Sequence, residues 1–457
     1  MNISRRIAGA LLLFALASAA SFATAAAVVD RATLQRWSAL RPGQTVALAE
    51  FPAGPARTAA FTFKRVQIYS DDAHLYVISA GGKQELPRST RVFLRGSADD
   101  GSARVALSLE PDGSFVEGNG EGTQGAFALQ AKVDAGGAHT FSARTLESTL
   151  PAPGAFEFQC GNEAVNLDLH PETDLAAQLR RATTAAVLPP PATAAALRLA
   201  TIAIDSDSLF MSRLFSNNTT NATNWIASMF NSMNTMYEAD LQVQLLVGTT
   251  ILRTSAAGDP YTGLSTGAAN STDLNIFGSY WQTNEAAVPR SFAILLSGAI
   301  ASSGGGCSAA GIAWLNEYCQ KSSVGSYSVN KVCTNLGIDP NGTFDARIVG
   351  HEIGHNFGAA HTHCTNATTG ASNTGTNTID ACYNGESGSG CYAGATSCPA
   401  GQSSGTIMSY CNISGCGTQN QLHFHSTHIN QVLLPKIAAN TPSCLATSDV
   451  IFQNGFQ

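Results

Sequence analysis

Gly350-His351-Glu352-Ile353-Gly354-His355-Asn356-Phe357-Gly358-Ala359-Ala360-His361 is the stretch from which the rest of this chain is read outward. Four residues is slightly more than one helical turn, so His351 and His355 project from one helix face and can share a single ion. Asp345 or Thr343 is placed to cap the start of that helix. Val349, Ile353 and Phe357, spaced by four, form the face that packs inward. A third ligand has to come back from beyond the helix. Gly358 can leave it in a left-handed conformation, which swings His361 round to the same point. Three neutral imidazoles suit Zn2+ and leave a fourth position for water, whose pKa the ion lowers toward ~7. Glu352 stands beside the helix ligands rather than among them, where it can take a proton from that water and later deliver it to a leaving amine. A purely structural zinc is usually closed by four protein ligands rich in Cys.

With Gly405-Thr406-Ile407-Met408-Ser409-Tyr410-Cys411 farther along, this motif resembles the signature of the metzincin metallopeptidases, a zinc helix followed by a Met-turn. The resemblance implies an α/β (mixed α+β) catalytic domain with a twisted, mostly parallel sheet, preceded by a β-rich prodomain. It implies a zinc-dependent endopeptidase with Glu352 as general base and Met408 as a hydrophobic base beneath the metal. Within the metzincins, Gly350 to Gly358 is most similar to the reprolysin (adamalysin-like) branch of bacterial M12-type peptidases, and the likeness spans residues 198 to 435. Two positions depart from that branch. Thr362 stands where adamalysins typically carry Asp, and Met408-Ser409-Tyr410 has the Met-x-Tyr form of astacins and serralysins. In those families the tyrosine can approach the zinc or the transition state, so Tyr410 is a candidate for that role beside the plainer reading of a packed tyrosine.

Two further segments carry the resemblance. Gly311-Ile312-Ala313-Trp314-Leu315 is similar to the edge strand of the metzincin cleft, where an extended peptide pairs through its backbone. Cys160, followed by Gly161, resembles the propeptide cysteine whose thiolate occupies the open zinc position in many metzincin precursors. A buried or oxidised bystander is the alternative. The resemblance thus points to a latent precursor.

Around the motif, the second half alternates strands and helices. Leu199 to Ile204, Leu241 to Val247 and Ser291 to Leu296 read as strands. Between them, Thr223 to Ala239 and Asp273 to Thr283 read as helices, the first with Ile226, Met229, Phe230, Met233, Met236 and Tyr237 as core. Such alternation predicts a largely parallel sheet covered by helices. Earlier, Phe61 to Val66, His74 to Ile78, Arg91 to Leu94 and Arg104 to Leu109 alternate apolar and polar positions. Turn signals such as Asp99-Asp100-Gly101 and Pro111-Asp112-Gly113 separate them, which predicts an antiparallel β domain with no catalytic constellation.

The expected division is a signal peptide over 1–27, a β-rich inhibitory prodomain over 28–181, a Pro/Ala-rich activation linker over 182–197, a catalytic domain over 198–446 and a tail over 447–457. Arg5 and Arg6, an apolar run and a small-residue stretch ending near Ala27 make the signal, so export is expected. Eleven cysteines suit an oxidising destination, and ten of them, from Cys307 to Cys444, can pair among themselves while Cys160 stands apart. His363, His423, His425 and His428 offer a second metal site as one reading, but their spacing is not diagnostic and they are expected at the surface.

A net charge of −7 and no Lys/Arg run argue against a nucleic-acid partner. No apolar stretch beyond the signal is long enough for stable membrane insertion. The expected partners are polypeptide substrates and the chain's own prodomain, with the protein otherwise a monomer. One zinc is expected, and structural calcium is unindicated. The alternatives are a zinc-bearing adhesin or binding module without turnover, and a metallohydrolase of a non-peptide bond.

Overall fold

A single long helix lies between two β-sheets, covered by one on each side. The structure is a computed structural model that describes residues 26–145 except 124, 159–160, 197–299, 310–332 and 343–448. Within the last span, 373–374, 376, 387–389, 400–404, 413–415 and 417–419 are excepted. Most of the signal segment, the linker 182–196, the tail beyond 448, Cys307 and Cys333 therefore lie outside the described residues.

In chain order the first half runs β1 (Ala26–Val29), α1 (Arg31–Ser38), β2 (Thr45–Gly54), β3 (Arg57–Val66), β4 (Leu75–Ser79), β5 (Gly82–Leu86), β6 (Val92–Ala98), β7 (Ala103–Leu109), β8 (Phe115–Gly122), β9 (Gly125–Val133) and β10 (His139–Thr145). Eight of these strands form an antiparallel sheet in the order β1-β10-β9-β8-β7-β6-β3-β2. Its inner face buries Phe51, Phe61, Phe63, Phe127 and Phe141 against Trp37 of α1. The expected turn at Asp99-Asp100-Gly101 is present, with Gly101 at φ 71° and its N–H donated to the Ala98 carbonyl.

After β11 (Gln159–Cys160), the second half runs β12 (Arg198–Ser206), α2 (Thr219–Leu241), β13 (Val243–Arg253), α3 (Ser271–Asn284), β14 (Phe292–Ser297), β15 (Ala310–Ala313), β16 (Tyr327–Lys331), α4 (Thr343–Phe357), α5 (Leu434–Ala439) and β17 (Ala446–Thr447). The second sheet is ordered β11-β15-β16-β14-β12-β13-β4-β5, with β17 beside β12. Neighbours from β16 through β14, β12 and β13 to β4 are parallel, as are β11 and β15, whereas β15 runs antiparallel to β16 and β5 to β4. The chain is thus a mixed strand-and-helix fold of the α+β kind.

The helix expected from Thr223 is longer, because Asn218 caps it by accepting from Asn221 N–H and Gln242 ends it in the left-handed region at φ 54°. Its Met and aromatic positions are all buried, as their spacing predicted. One strand sits elsewhere than expected. His74 to Ile78 alternates like a member of the first sheet, but Leu75 to Ile78 pair in parallel with Thr250 to Arg253 of the second. Alternation fixes which face of a strand is buried, not which sheet receives it. Strand β16 carried no signal, since Ser328, Asn330 and Lys331 are polar and buried together with Tyr327 and Val329. No helix among the described residues is long and apolar enough to cross a membrane.

Candidate metal centre

Helix α4 delivers the first two histidines. Its Val349, Ile353 and Phe357 enter the core shared with α2, and the Gly350 carbonyl accepts from the Tyr237 hydroxyl at 2.7 Å. The helix stops at Gly358, where φ is +105°. Gly358 N–H bonds the His355 carbonyl and Ala359 N–H bonds the Gly354 carbonyl, the paired closure that a left-handed residue permits. A Cβ at Gly358 would also come within 2.4 Å of Lys436 Nζ. The backbone therefore doubles back, and His361 arrives beside His355.

All three imidazoles are buried, and the group each offers through Nδ1 fixes its tautomer. His351 Nδ1 faces the Ile407 carbonyl at 2.7 Å, His355 Nδ1 the Ala359 carbonyl at 2.7 Å, and His361 Nδ1 a carboxylate oxygen of Glu386 at 2.8 Å. Carbonyl and carboxylate oxygens only accept, so each Nδ1 must carry the hydrogen and each Nε2 presents a lone pair. Those Nε2 atoms face one another; His355 and His361 bring theirs to 3.2 Å. Burial, reinforced by the neighbouring imidazole of His361, pushes His351 down to about 3. Burial and the same neighbours hold His355 well below the usual range. Three imidazole nitrogens converging in a dry site is an arrangement that a cation satisfies, and this donor set fits Zn2+.

The fourth side is filled from the first half of the chain. Cys160 Sγ lies 3.5 Å from His355 Nε2 and 3.7 Å from a Glu352 carboxylate oxygen. One ligand atom each from Cys160, His351, His355 and His361 lies within 4.8 Å of the others. Strand β11 holds the cysteine there, pairing Gln159 with Ala310 and Cys160 with Gly311 on the outer edge of β15. Gly311, Ile312 and Ala313 thus lie in β15, with Trp314 immediately after it, and the outer edge of β15 is occupied by β11.

Glu352 is buried and Oε1 has no hydrogen-bond partner among the described residues. Burial raises its carboxyl well above the ordinary range, against the hydrogen bond to Cys160. The carboxylate lies flat against β15, where a Cβ on Gly311 would come 2.2 Å from Glu352 Oε1. Met408 is buried under α4, and a Cβ on Gly354 would meet its sulfur at 2.8 Å. The Met408 carbonyl accepts from Thr362 N–H at 3.1 Å, so Thr362 ties the returning turn to the Met408 loop. Tyr410 packs on His361 with ring centroids 4.5 Å apart, and its hydroxyl donates to the Cys160 carbonyl at 3.1 Å.

One site residue, Glu386, escaped the sequence. One oxygen of Glu386 accepts from both His361 Nδ1 and His363 Nε2, at 2.8 and 2.6 Å. Burial opposes ionisation of Glu386, but His361 and His363 together outweigh it and hold the carboxyl below its usual range. The expectation of surface histidines fails for His363 and for His428, which are fully buried. His363 is drawn in by Glu386, and His428 by the Thr365 hydroxyl at 3.1 Å. Disulfides Cys364–Cys391, Cys382–Cys411 and Cys398–Cys416 staple these loops, and Cys319–Cys444 ties the last segment to the core.

A family model described as Reprolysin_5, metallo-peptidase family M12, matches residues 196–424. No curated protein matches the chain. One solved structure, described as that of a chaperone-substrate complex, aligns with 37% of this chain and 25% of its own at 14% identity and a TM-score of 0.26. The chain spans about a quarter of that structure's length, and a likeness so slight carries no weight.

Proposed function

Because the chain belongs to metallopeptidase family M12, we propose that it is an exported zinc-dependent endopeptidase made as a latent precursor. The observation that carries this reading is the convergence of three Nε2 lone pairs beside a buried carboxylate with an orphan oxygen. His351, His355 and His361 would hold the ion through Nε2. When bound, zinc supplies a Lewis acid that polarises a scissile carbonyl and acidifies water.

The remaining work falls to the chain's own groups. Strand β15 offers backbone hydrogen bonds to an extended peptide along Gly311 to Ala313. Glu352 takes a proton from water and later passes it to the leaving amine. Burial suits Glu352 to keep that proton between the two steps. Tyr410 already donates to a main-chain carbonyl of the strand paired with β15, that of Cys160, and is placed to do the same for a substrate carbonyl as negative charge develops on it. Met408 supplies apolar packing beneath the helix and donates nothing.

Latency has a direct support in β11. It occupies the edge that substrate would use, and it sets a thiol on the open side of the histidine cluster. Zinc binds thiolate well, so Cys160 would exclude water and keep the precursor silent. Residues 1–27 as a signal peptide and four disulfides among the described residues support export.

Casein hydrolysis by processed protein tests the proposal. o-Phenanthroline should abolish it, and Glu352→Ala should lower it about 10²- to 10⁴-fold while metal analysis still finds zinc. Parental turnover by Glu352→Ala would sink the mechanism.

A further inference from the structure

We infer that the β-rich first half is not discarded when the linker is cut, but stays bound to the catalytic half as a permanent second chain. This rests on the reading of 182–197 as the site where a precursor is severed. It concerns what happens to the severed piece.

Among the described residues, the strand that carries the latency contact, β11, is two residues long. The remainder of the first half is held in a different way. Residues 68 to 79 run along β13 from Val247 to Arg253. Val247 N–H bonds the Ile68 carbonyl, Ser70 N–H bonds the Val247 carbonyl, and Thr250 N–H bonds the His74 carbonyl. Farther on, Leu75 to Ile78 pair with Thr250 to Arg253, and Thr254 N–H closes onto Ile78. The catalytic sheet is thus completed at this end by β4 and β5. Without them, β13 would present an open edge.

The core is shared as well. Val66, Ile68, Tyr69, Leu75 and Phe93 of the first half pack in one cluster with residues of α2, β12 and β13. Helix α2 is buried on every side from Trp225 to Tyr237, which a helix achieves only when both faces are covered. The first sheet is its second cover. There the Asn231 amide donates to the Leu94 and Leu107 carbonyls, Ser228 meets Ser108 at 3.0 Å, and Ser232 bonds Asn119. Arg95 pairs with Glu238 at 2.9 Å and Arg104 with Asp240 at 3.2 Å. Glu121 reaches across to Leu422 N–H at 3.2 Å, close behind the Met408 loop.

An interface with a shared apolar core, paired strands and partly desolvated ion pairs has the character of an obligate association rather than a transient one. Retention has a corollary for activation. One cut in the linker leaves Cys160 joined through residues 146–158 to a domain that does not leave, at the high effective concentration of a short tether. Loss of latency then requires a second break before Gln159, or chemistry at the thiol.

The test uses the full chain with a site-specific protease sequence placed within residues 187–193 and cut to completion. Gel filtration in native buffer should bring both fragments through in one peak at the position of the uncut protein, and denaturant should part them. Elution of the first-half fragment by itself in native buffer overturns the inference, whether the other fragment stays in solution or precipitates. Co-elution is read without any catalytic step. A nicked pair carrying Cys160→Ser that stays together and never hydrolyses casein would sink the peptidase reading alone. A separated first half beside an active peptidase would sink only this one.

Discussion

Replacing Glu386 should weaken zinc binding before it weakens the fold. A single oxygen of Glu386 accepts from His361 Nδ1 and from His363 Nε2, so it orients one candidate ligand and enriches its basicity while a second imidazole steadies it. Carboxylate partners of metal-ligating imidazoles typically account for about 10- to 100-fold in metal affinity. Glu386→Gln keeps an oxygen that can accept in the same place but removes the charge, which roughly halves the strength of such a hydrogen bond. The expected cost is about tenfold in zinc affinity, or ~1.4 kcal/mol. Glu386→Ala removes the acceptor outright and leaves the His363 N–H buried without a partner. About 100-fold in affinity should then be lost, along with ~1–3 kcal/mol of stability.

Zinc competition against a chromophoric chelator reads the first quantity, and the thermal midpoint of the chelated protein reads the second. The two must separate for Glu386→Gln: weaker zinc, unchanged metal-free midpoint. If Glu386 merely packs its loop, the midpoint would fall and the zinc affinity would stay within about twofold of the parent, which is less than any carboxylate contribution of the expected size. That outcome would refute a positioning role.

Three other outcomes follow from the same geometry. Cys160→Ser should raise casein hydrolysis by unprocessed protein about tenfold or more, because a hydroxyl is a far poorer zinc ligand than a thiolate; undiminished latency would count against the thiol as the block. Gly311→Ala places a methyl where only 2.2 Å separates it from Glu352 Oε1, so kcat should fall with zinc content intact, and parental kcat would show that the carboxylate need not lie against the strand. The metal-free protein should lose stability as pH falls below about 6.5, since unfolded imidazoles take up protons there while burial holds folded His351 and His428 at about 3 and His355 well below its usual range. Each such histidine contributes about 2 kcal/mol of loss by about pH 5, and a melting midpoint flat from pH 7 to 5 would contradict their burial as neutral groups.

What could be read from the sequence depended on how far apart in the chain the cooperating groups lie. His351, His355 and His361 fall within eleven residues because one helix and one left-handed glycine place all three, and both devices are local. Cys160 was singled out by the resemblance, with its isolation among the cysteines in support, but its seat on β15 depends on strand pairing across residues 160 and 311. Strand β4 was readable as a strand and not as a guest of the other sheet, because Leu75 and Val77 would bury equally well in either. Glu386 is the hardest case and the most instructive. An imidazole needs only one acceptor at Nδ1, and any loop residue can supply it once Cys364–Cys391 and Cys382–Cys411 hold the loop still. A faint signal did exist. Between His361 and Met408, Asp380 and Glu386 are the only Asp, Glu, Lys or Arg residues. A charge kept in so neutral a segment is costly to bury unless it is paired, and both are buried and bonded, Glu386 to the histidines and Asp380 to Ser409 beside Met408. The rare charge in a neutral, disulfide-held loop beside a metal motif is therefore the residue to suspect of orienting a ligand.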